Sequence, residues 1–404
     1  MSVWGLRGQV RAIDRLIAPV ASEAFVESYW EQAPLLVPRA QPDWFADLFS
    51  IDAIDHILST MRVRDGDIRI AQEGTLLPTS SYGGGAHCEG NVDLPRALSL
   101  FNDGATLILN HAERFWAPLR EFVGRLAQFF GGRVQANVYL TPPSSRGFAA
   151  HYDTHDVFLL QIAGSKSWRV CASSVPLPLA AQAYDDRAEE KADTRQDFLL
   201  ATGDTLYLPR GFIHEAQTQV ETSAHITVGV FAPLWVDLLR ELIVTAAERD
   251  PGLRRSLPLR GLAPENVDLA PDVMSAVARL GDARLIAAAR DRLMDRLTST
   301  QEPLLRGQLS ELVSRAPIEL HTRLRRRESV AFTLRDEGEG VVLSFSRRTL
   351  RFPEYVKPHL EYIARVGELR AADLPDDLDD DGKLVLVRRL VLEGFLLRIT
   401  DAAG

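Results

Sequence analysis

The sequence predicts an α+β chain in which a small antiparallel barrel or sandwich lies between helical segments. Three observations predict it. Between Val134 and Phe231, short runs rich in β-branched and aromatic residues are punctuated by Gly, Pro and polar clusters, the texture of many short strands. On either side of that stretch, apolar residues recur at spacings of three and four, as on amphipathic helices. The chain has 404 residues, 46% hydrophobic and 25% charged. That is an ordinary globular composition, and a length for two or three domains at about 150 residues each.

Taken in order, residues 1 to about 130 read as mixed structure rich in helix, with helices expected over Ile51–Met61 and His111–Phe130. Strands are expected at VQANVYL (134–140), DVFLLQIAG (156–164), SWRVCA (167–172), DTLYLPR (204–210) and AHITVGVF (224–231). After Pro233 the spacing turns helical again, over 235–249 and over 271–297. From about Pro317 a third unit begins, with a strand pair around Val341–Arg351, helices at Tyr355–Val366 and Lys383–Leu392, and a last strand at Phe395–Ile399. Helices with a small hairpin suggest a winged-helix-like module.

Composition excludes several function classes. No run approaches the roughly 18 apolar residues of a membrane span. The opening MSVWGLRGQVRAIDRL carries charges where an export signal needs an apolar core, so a cytoplasmic protein is expected. The two cysteines, Cys88 and Cys171, make neither a disulfide framework nor a structural zinc site. A net charge of −9 argues against a protein that coats nucleic acid and suits a basic partner.

The chemistry concentrates in GFAAHYDTHDVFLLQIAGSKSWRV and, later, GDTLYLPRGFIHEAQ. In an extended strand, side chains at i and i+2 face the same way, so His151 and Asp153 both point into a barrel. The same HxD pattern also describes a buried, hydrogen-bonded strand histidine. His214 changes the balance. It follows a PRG bend that presents it at a strand start, after enough strands to return the chain to the same mouth. Two histidines and a carboxylate on one face of a metal are the facial triad of non-haem Fe(II) oxygenases. The remaining positions then take a bidentate 2-oxo acid and dioxygen. Lys166 fits either a solvated hairpin or the barrel interior. In the interior its charge needs a partner, which a dicarboxylate cosubstrate provides.

The run NVYLTPPSSRGFAAHYDTHDVFLLQIAGSKSWRV with LYLPRGFIHEA resembles the JmjC-type ribosomal oxygenases of the cupin-4 group, Fe(II)- and 2-oxoglutarate-dependent protein hydroxylases. YWEQAPLLV (29–37) and RRSLPLRGL (254–262) extend the resemblance. It implies a double-stranded β-helix (cupin/JmjC) catalytic domain with a helical N-terminal part over 1–235, a helical dimerisation region over 236–316 and a winged-helix-like domain over 317–404. It implies His151, Asp153 and His214 as iron ligands and Lys166 as the anchor of the 2-oxoglutarate C5 carboxylate. Asn137 and Tyr139 match positions lining the cosubstrate pocket. The implied substrate is a ribosomal protein, hydroxylated on a histidine or arginine side chain. A homodimer is expected, with no membrane and no direct DNA binding. A small-molecule substrate, or a non-catalytic barrel that only binds, are the competing readings.

Other residues carry less. His155 shares the face of His151 and Asp153 if the strand continues, which makes it a pocket wall or substrate contact. His225 and, two residues on, Thr227 fit the cosubstrate pocket or, for His225, a satisfied core histidine. His56, His87, His111, His321 and His359 lack ligand-like spacing. GGGAHCEG (83–90) reads as a loop at the substrate cleft rather than a phosphate cradle. The acidic run Asp376–Gly382 places Arg388 where a calcium loop needs Glu, so it reads as a helix cap. LRRRE (324–328) reads as a solvated charged face.

Overall fold

Alternation along the strands builds the first half of the molecule. The computed structural model describes residues 12–84, 90–185, 195–257, 268–300, 305–314, 316–328 and 330–399. The chain divides into two compact units, Leu6–Phe231 and Ala232–Gly404. In the first unit, helices α1 (Ala12–Ile17), α2 (Ser22–Ser28), α3 (Ile51–Thr60), α4 (Leu94–Asn102) and α5 (Ala117–Phe130) accompany two sheets. The strands are β1 (Leu35–Val37), β2 (Ile68–Gln72), β3 (Thr75–Leu76), β4 (Thr106–Leu109), β5 (Arg133–Thr141), β6 (Asp156–Ala163), β7 (Ser165–Cys171), β8 (Arg195–Ala201), β9 (Thr205–Leu208), β10 (Ile213–Thr218) and β11 (Ser223–Phe231).

The large sheet runs β1-β9-β6-β11-β5-β4-β2-β3 and the small one β10-β7-β8, both antiparallel. Two isolated bridges, Arg146 to Gln217 and His151 to His214, extend the β10 edge of the small sheet. Apolar side chains from both sheets meet between them: Val157 and Leu159 of β6, Leu206 and Leu208 of β9, Trp168 and Val170 of β7, and Leu200 of β8. This is the double-stranded β-helix architecture. On the outer face of β6 and β9, Phe158 and Tyr207 pack with Phe25 and Trp30 of the N-terminal segment.

Several sequence expectations need correction. The helix expected over His111–Phe130 begins only at Ala117, because His111 takes a left-handed backbone (φ 50°) and Pro118 sits in the first turn. Strand β10 (IHEAQT) has no apolar run, and β8 opens on three exposed polar residues before its short run Phe198–Ala201, so neither stands out by pattern. The HxD segment is not a continuous strand: His151 is an isolated bridge, and residues 152–155 lie outside any strand, with a bend at Thr154 and His155. His155 therefore does not share a strand face with His151.

The second unit contains α6 (Trp235–Arg249), α7 (Ala270–Ala278), α8 (Ala283–Thr300), α9 (Gln308–Ser314), α10 (Lys357–Val366) and α11 (Asp380–Leu392). The single helical run expected over 271–297 is broken at Gly281 and Asp282; the Asp282 carboxylate accepts from Leu285 N–H (2.8 Å) and starts α8 afresh. Two three-stranded sheets follow, β16-β12-β17 and β13-β14-β15, built from β12 (Leu324–Arg326), β13 (Phe332–Glu337), β14 (Gly340–Phe345), β15 (Arg348–Pro353), β16 (Glu368–Leu369) and β17 (Leu396–Arg398). Val341, Leu343, Phe345, Leu360, Ile363, Val387, Leu390 and Phe395 close a core drawn entirely from 318–396. Asp379 caps α11 by accepting from Gly382 N–H (2.8 Å), the helix-capping role expected of that acidic run. No described helix is long and apolar enough to cross a membrane. The loop residues 85–89 and the stretch 258–267, part of the segments noted above, lie outside the described residues.

Asp156 opens β6 with only 2% of its surface exposed, accepting from the Tyr207 hydroxyl (2.7 Å). Burial pushes its carboxyl up from 3.8 to about 6. Between those values the folded chain holds a proton that the unfolded chain has lost, so stability falls as pH rises from about 4 to about 6. Asp156→Asn should abolish that slope, making the variant more stable than wild type at pH 7 by on the order of 2 kcal/mol. Urea unfolding at pH 4, 5, 6 and 7 checks this; parallel pH profiles would refute it.

Candidate metal centre

The bridge that ends the small sheet also makes the site. His151 N–H donates to His214 C=O (3.2 Å) and His214 N–H donates to His151 C=O (2.8 Å), which brings two segments far apart in sequence to one point. Gly211 makes the bend before β10 with φ 88°, and its N–H donates to Asp153 C=O (3.0 Å). A Cβ at Gly211 would lie 2.7 Å from Pro178 Cδ and 2.9 Å from Val175 O, so the bend requires glycine for space as well as for conformation. Ligand atoms of His151, Asp153 and His214 all lie within 4.8 Å of one another, and His214 Nε2 is 3.8 Å from Asp153 Oδ2.

Both imidazoles are oriented in the same way. His151 Nδ1 donates to Ala149 C=O (2.8 Å) and His214 Nδ1 donates to Phe212 C=O (2.9 Å), each two residues upstream. With Nδ1 carrying the proton, each Nε2 presents its lone pair, the usual outer support of a metal-bound histidine. Burial and the neighbouring His151 push His214 down to about 4, so it is neutral and ready to coordinate at neutral pH.

Strand register explains why Lys166 joins this site. Lys166, Trp168 and Val170 on β7 stand opposite Thr218, Ala216 and His214 on β10, so the lysine and the histidine share the inner face of the small sheet. Lys166 is 2% exposed, its Nζ donates to Thr141 Oγ1 (3.1 Å), and among the described residues it has no carboxylate partner. Burial alone pushes its ammonium down to about 7. The solvated-hairpin alternative is thereby excluded. An uncompensated buried cation is expensive, and an anion bound beside it removes the cost.

The opposite wall comes from β5 and β11, paired so that Tyr139 faces His225 and Asn137 faces Thr227 across the strands. All four residues singled out from the sequence therefore lie in two adjacent rungs on one face. Tyr139 and His225 stack (4.8 Å, 7° between planes). Asn137 accepts from His111 N–H (3.0 Å), and burial together with Asp153 pushes the Tyr139 phenol up. His225 is 2% exposed, but among the described residues its Nδ1 has no partner, which is not the condition of a satisfied core histidine. His155 stacks on Phe231 (4.2 Å), whose ring also lies 3.7 Å from the Arg133 guanidinium carbon. Of the five histidines set aside, three have contacts elsewhere: His56 against Trp116, His111 beside Glu113, and His359 bonded to Pro375 C=O; His87 lies outside the described residues. Sequence reading passed over Thr141 and Trp168 as site residues, although each lies two positions beyond a recognised one and so shares its face.

A nitrogen, nitrogen, oxygen donor set beside a buried, anion-seeking lysine fits a divalent metal and a dicarboxylate. Residues 113–238 match the JmjC domain family. The chain is 38% identical over 258 residues to ribosomal oxygenase 1 of Gallus gallus, covering 60% of this chain and 41% of that protein. It is 33% identical over 288 residues to ribosomal oxygenase 2 of Rattus norvegicus, covering 68% and 59%. Over these stretches the chain is similar to the JmjC ribosomal oxygenases. It thus spans about two-fifths to three-fifths of the length of these two relatives. A structure of Escherichia coli YcfD superposes with a TM-score of 0.54 at 19% identity, over 94% of this chain and 98% of that one, so the fold is common to both. A YcfD structure described as a complex with cobalt and 2-oxoglutarate has a TM-score of 0.51.

Gly211→Ala should destabilise the protein by about 1–3 kcal/mol, because an alanine at that backbone angle is strained and its Cβ has no room. A urea midpoint indistinguishable from wild type would contradict this account of the bend.

Proposed function

We propose that the chain is an Fe(II)- and 2-oxoglutarate-dependent dioxygenase that hydroxylates a histidine or arginine side chain of a ribosomal protein. The observation that carries the reading is Lys166: a buried cation with no carboxylate partner among the described residues, on the same sheet face as His214. His151, Asp153 and His214 would hold the iron by three adjacent positions, and Lys166 would hold the far carboxylate of 2-oxoglutarate. Asn137, Tyr139, His225 and Thr227 would line the cosubstrate pocket. When bound, iron, 2-oxoglutarate and dioxygen supply the oxidising power that turns a C–H bond into C–OH.

The chain's own residues orient and protect that chemistry. The paired Nδ1–H···O=C bonds fix both imidazoles, so neither ring rotates away from the metal position. The Lys166 ammonium sets the direction in which a dicarboxylate can lie. Leu159, Leu206, Leu208 and Val170 exclude water from between the sheets. A net charge of −9 favours a basic protein as substrate.

The names of the relatives support a ribosomal substrate, and one relative, from Drosophila mojavensis, is named a bifunctional lysine-specific demethylase and histidyl-hydroxylase; a cytoplasmic setting is part of the same proposal. The same proposal includes a homodimer formed through the helical region 236–316 and a winged-helix-like end over 317–404. Exposed Leu239, Ile243, Val273, Met274 and Val277 on α6 and α7 support the first, and the separate core of 318–396 supports the second. Direct DNA binding is not part of the reading.

Purified chain with Fe(II), ascorbate and 2-oxoglutarate should form succinate, and a ribosomal protein from cells lacking the gene should gain one oxygen when incubated with it. Lys166→Ala should raise the 2-oxoglutarate concentration for half-maximal turnover at least about tenfold, the scale of one charge-assisted bond, with the iron requirement unchanged. No succinate with any ribosomal fraction, or an unaltered 2-oxoglutarate requirement in Lys166→Ala, would refute the proposal.

A further inference from the structure

Buried polar atoms are nearly always hydrogen-bonded, so an exception asks for a ligand or a water. Among the described residues of the first unit, and apart from two arginine Nε atoms, the buried side-chain nitrogens and oxygens without a partner are Gln161 Oε1, Trp168 Nε1 and His225 Nδ1. All three belong to one place. Gln161 of β6 stands opposite His225 of β11, and the Trp168 ring meets the His225 ring edge-on (5.4 Å, 88°).

Of the three atoms, the indole nitrogen has the least freedom. Glutamine oxygen only accepts and imidazole nitrogen does either, but an indole N–H can only donate. Trp168 is 6% exposed. Its ring centre is 5.8 Å from Lys166 Nζ and 6.0 Å from the His214 ring, so it occupies the span between the lysine and the metal-ligand set. Small Ala216 opposite it on β10 leaves the ring room to sit there. Two buried donors, one of them cationic and neither facing a carboxylate, line a single stretch of the inner wall.

We propose that the Trp168 indole N–H, between Lys166 and His214, donates a hydrogen bond to a carboxylate oxygen of the bound 2-oxo dicarboxylate. The inference rests on the cosubstrate reading above and adds a second donor to it. Trp168 is then a binding residue of the pocket, and its N–H goes unpaired when the pocket lacks an anion.

The test uses the full chain loaded with Zn(II), with 2-oxoglutarate itself as the probe. Trp168→Phe keeps a ring and deletes only the donor. Calorimetry should give a Kd for 2-oxoglutarate raised about tenfold, ~1.4 kcal/mol, while thermal unfolding without cosubstrate occurs no lower than in wild type, since an unpaired buried donor has been removed. In the wild-type protein, the Trp168 indole proton resonance, assigned by its loss in Trp168→Phe, should move downfield when 2-oxoglutarate is added. An unchanged Kd, or an indole resonance that stays in place on saturation, would overturn the inference. Lys166→Met separates the two levels of the argument. If that variant binds 2-oxoglutarate as wild type does, the cosubstrate reading itself fails. If it loses binding while Trp168→Phe does not, only the role of Trp168 fails.

Discussion

Two backbone hydrogen bonds across the His151–His214 bridge are the constraint on which the site depends. They join the start of β10 to a segment that is otherwise outside any strand, and they do so at the residues whose rings must meet. Everything else follows from register. Once His214 is fixed opposite Val170, alternation places Trp168 and Lys166 deeper on the same face. On the other sheet, the pairing of β11 with β5 brings His225 to Tyr139 and Thr227 to Asn137. A slip of one residue in either ladder would turn these side chains out of the barrel.

The pocket is costly in the absence of a ligand, and the cost has a direction. Among the described residues, Lys166 sits out of water beside Thr141 without a carboxylate, and the indole and imidazole nitrogens near it lack partners. Elsewhere in the same unit some buried charge is matched: Arg210 pairs with Glu31 (2.7 Å), and Asp204 accepts from the Arg39 and Ala201 amides. Unpaired polarity is thus concentrated where an anion would relieve it, as expected when stability is given up for binding.

Much of this was legible in the sequence, for physical reasons that differ from residue to residue. The strands β5, β6, β7, β9 and β11 were visible because they are buried and rich in β-branched and aromatic side chains. Strands β8 and β10 were not, because β10 has no apolar run and β8 opens on exposed polar residues, and their strand character comes from their neighbours. That His151, Asp153 and His214 come together was readable from HxD and the distant histidine after the glycine bend. No continuous strand runs through 151–155; a one-residue bridge at His151 and the segment after it bring the two side chains together. The break at Gly281 and Asp282 was hidden because apolar spacing continues across it. The fates of Lys166 and His225 depend on burial and on what faces them, which spacing alone does not contain.

The central claim is that His151, Asp153 and His214 together form one metal site. Titration of Co(II) into the wild-type chain and into His151→Ala, Asp153→Ala and His214→Ala, followed by visible absorption, tests it most directly. The account predicts a single equivalent bound by the wild type and affinity lowered by at least about tenfold in each variant, since loss of a ligand should exceed the loss of an outer support. Wild-type stoichiometry and affinity in His214→Ala would contradict it.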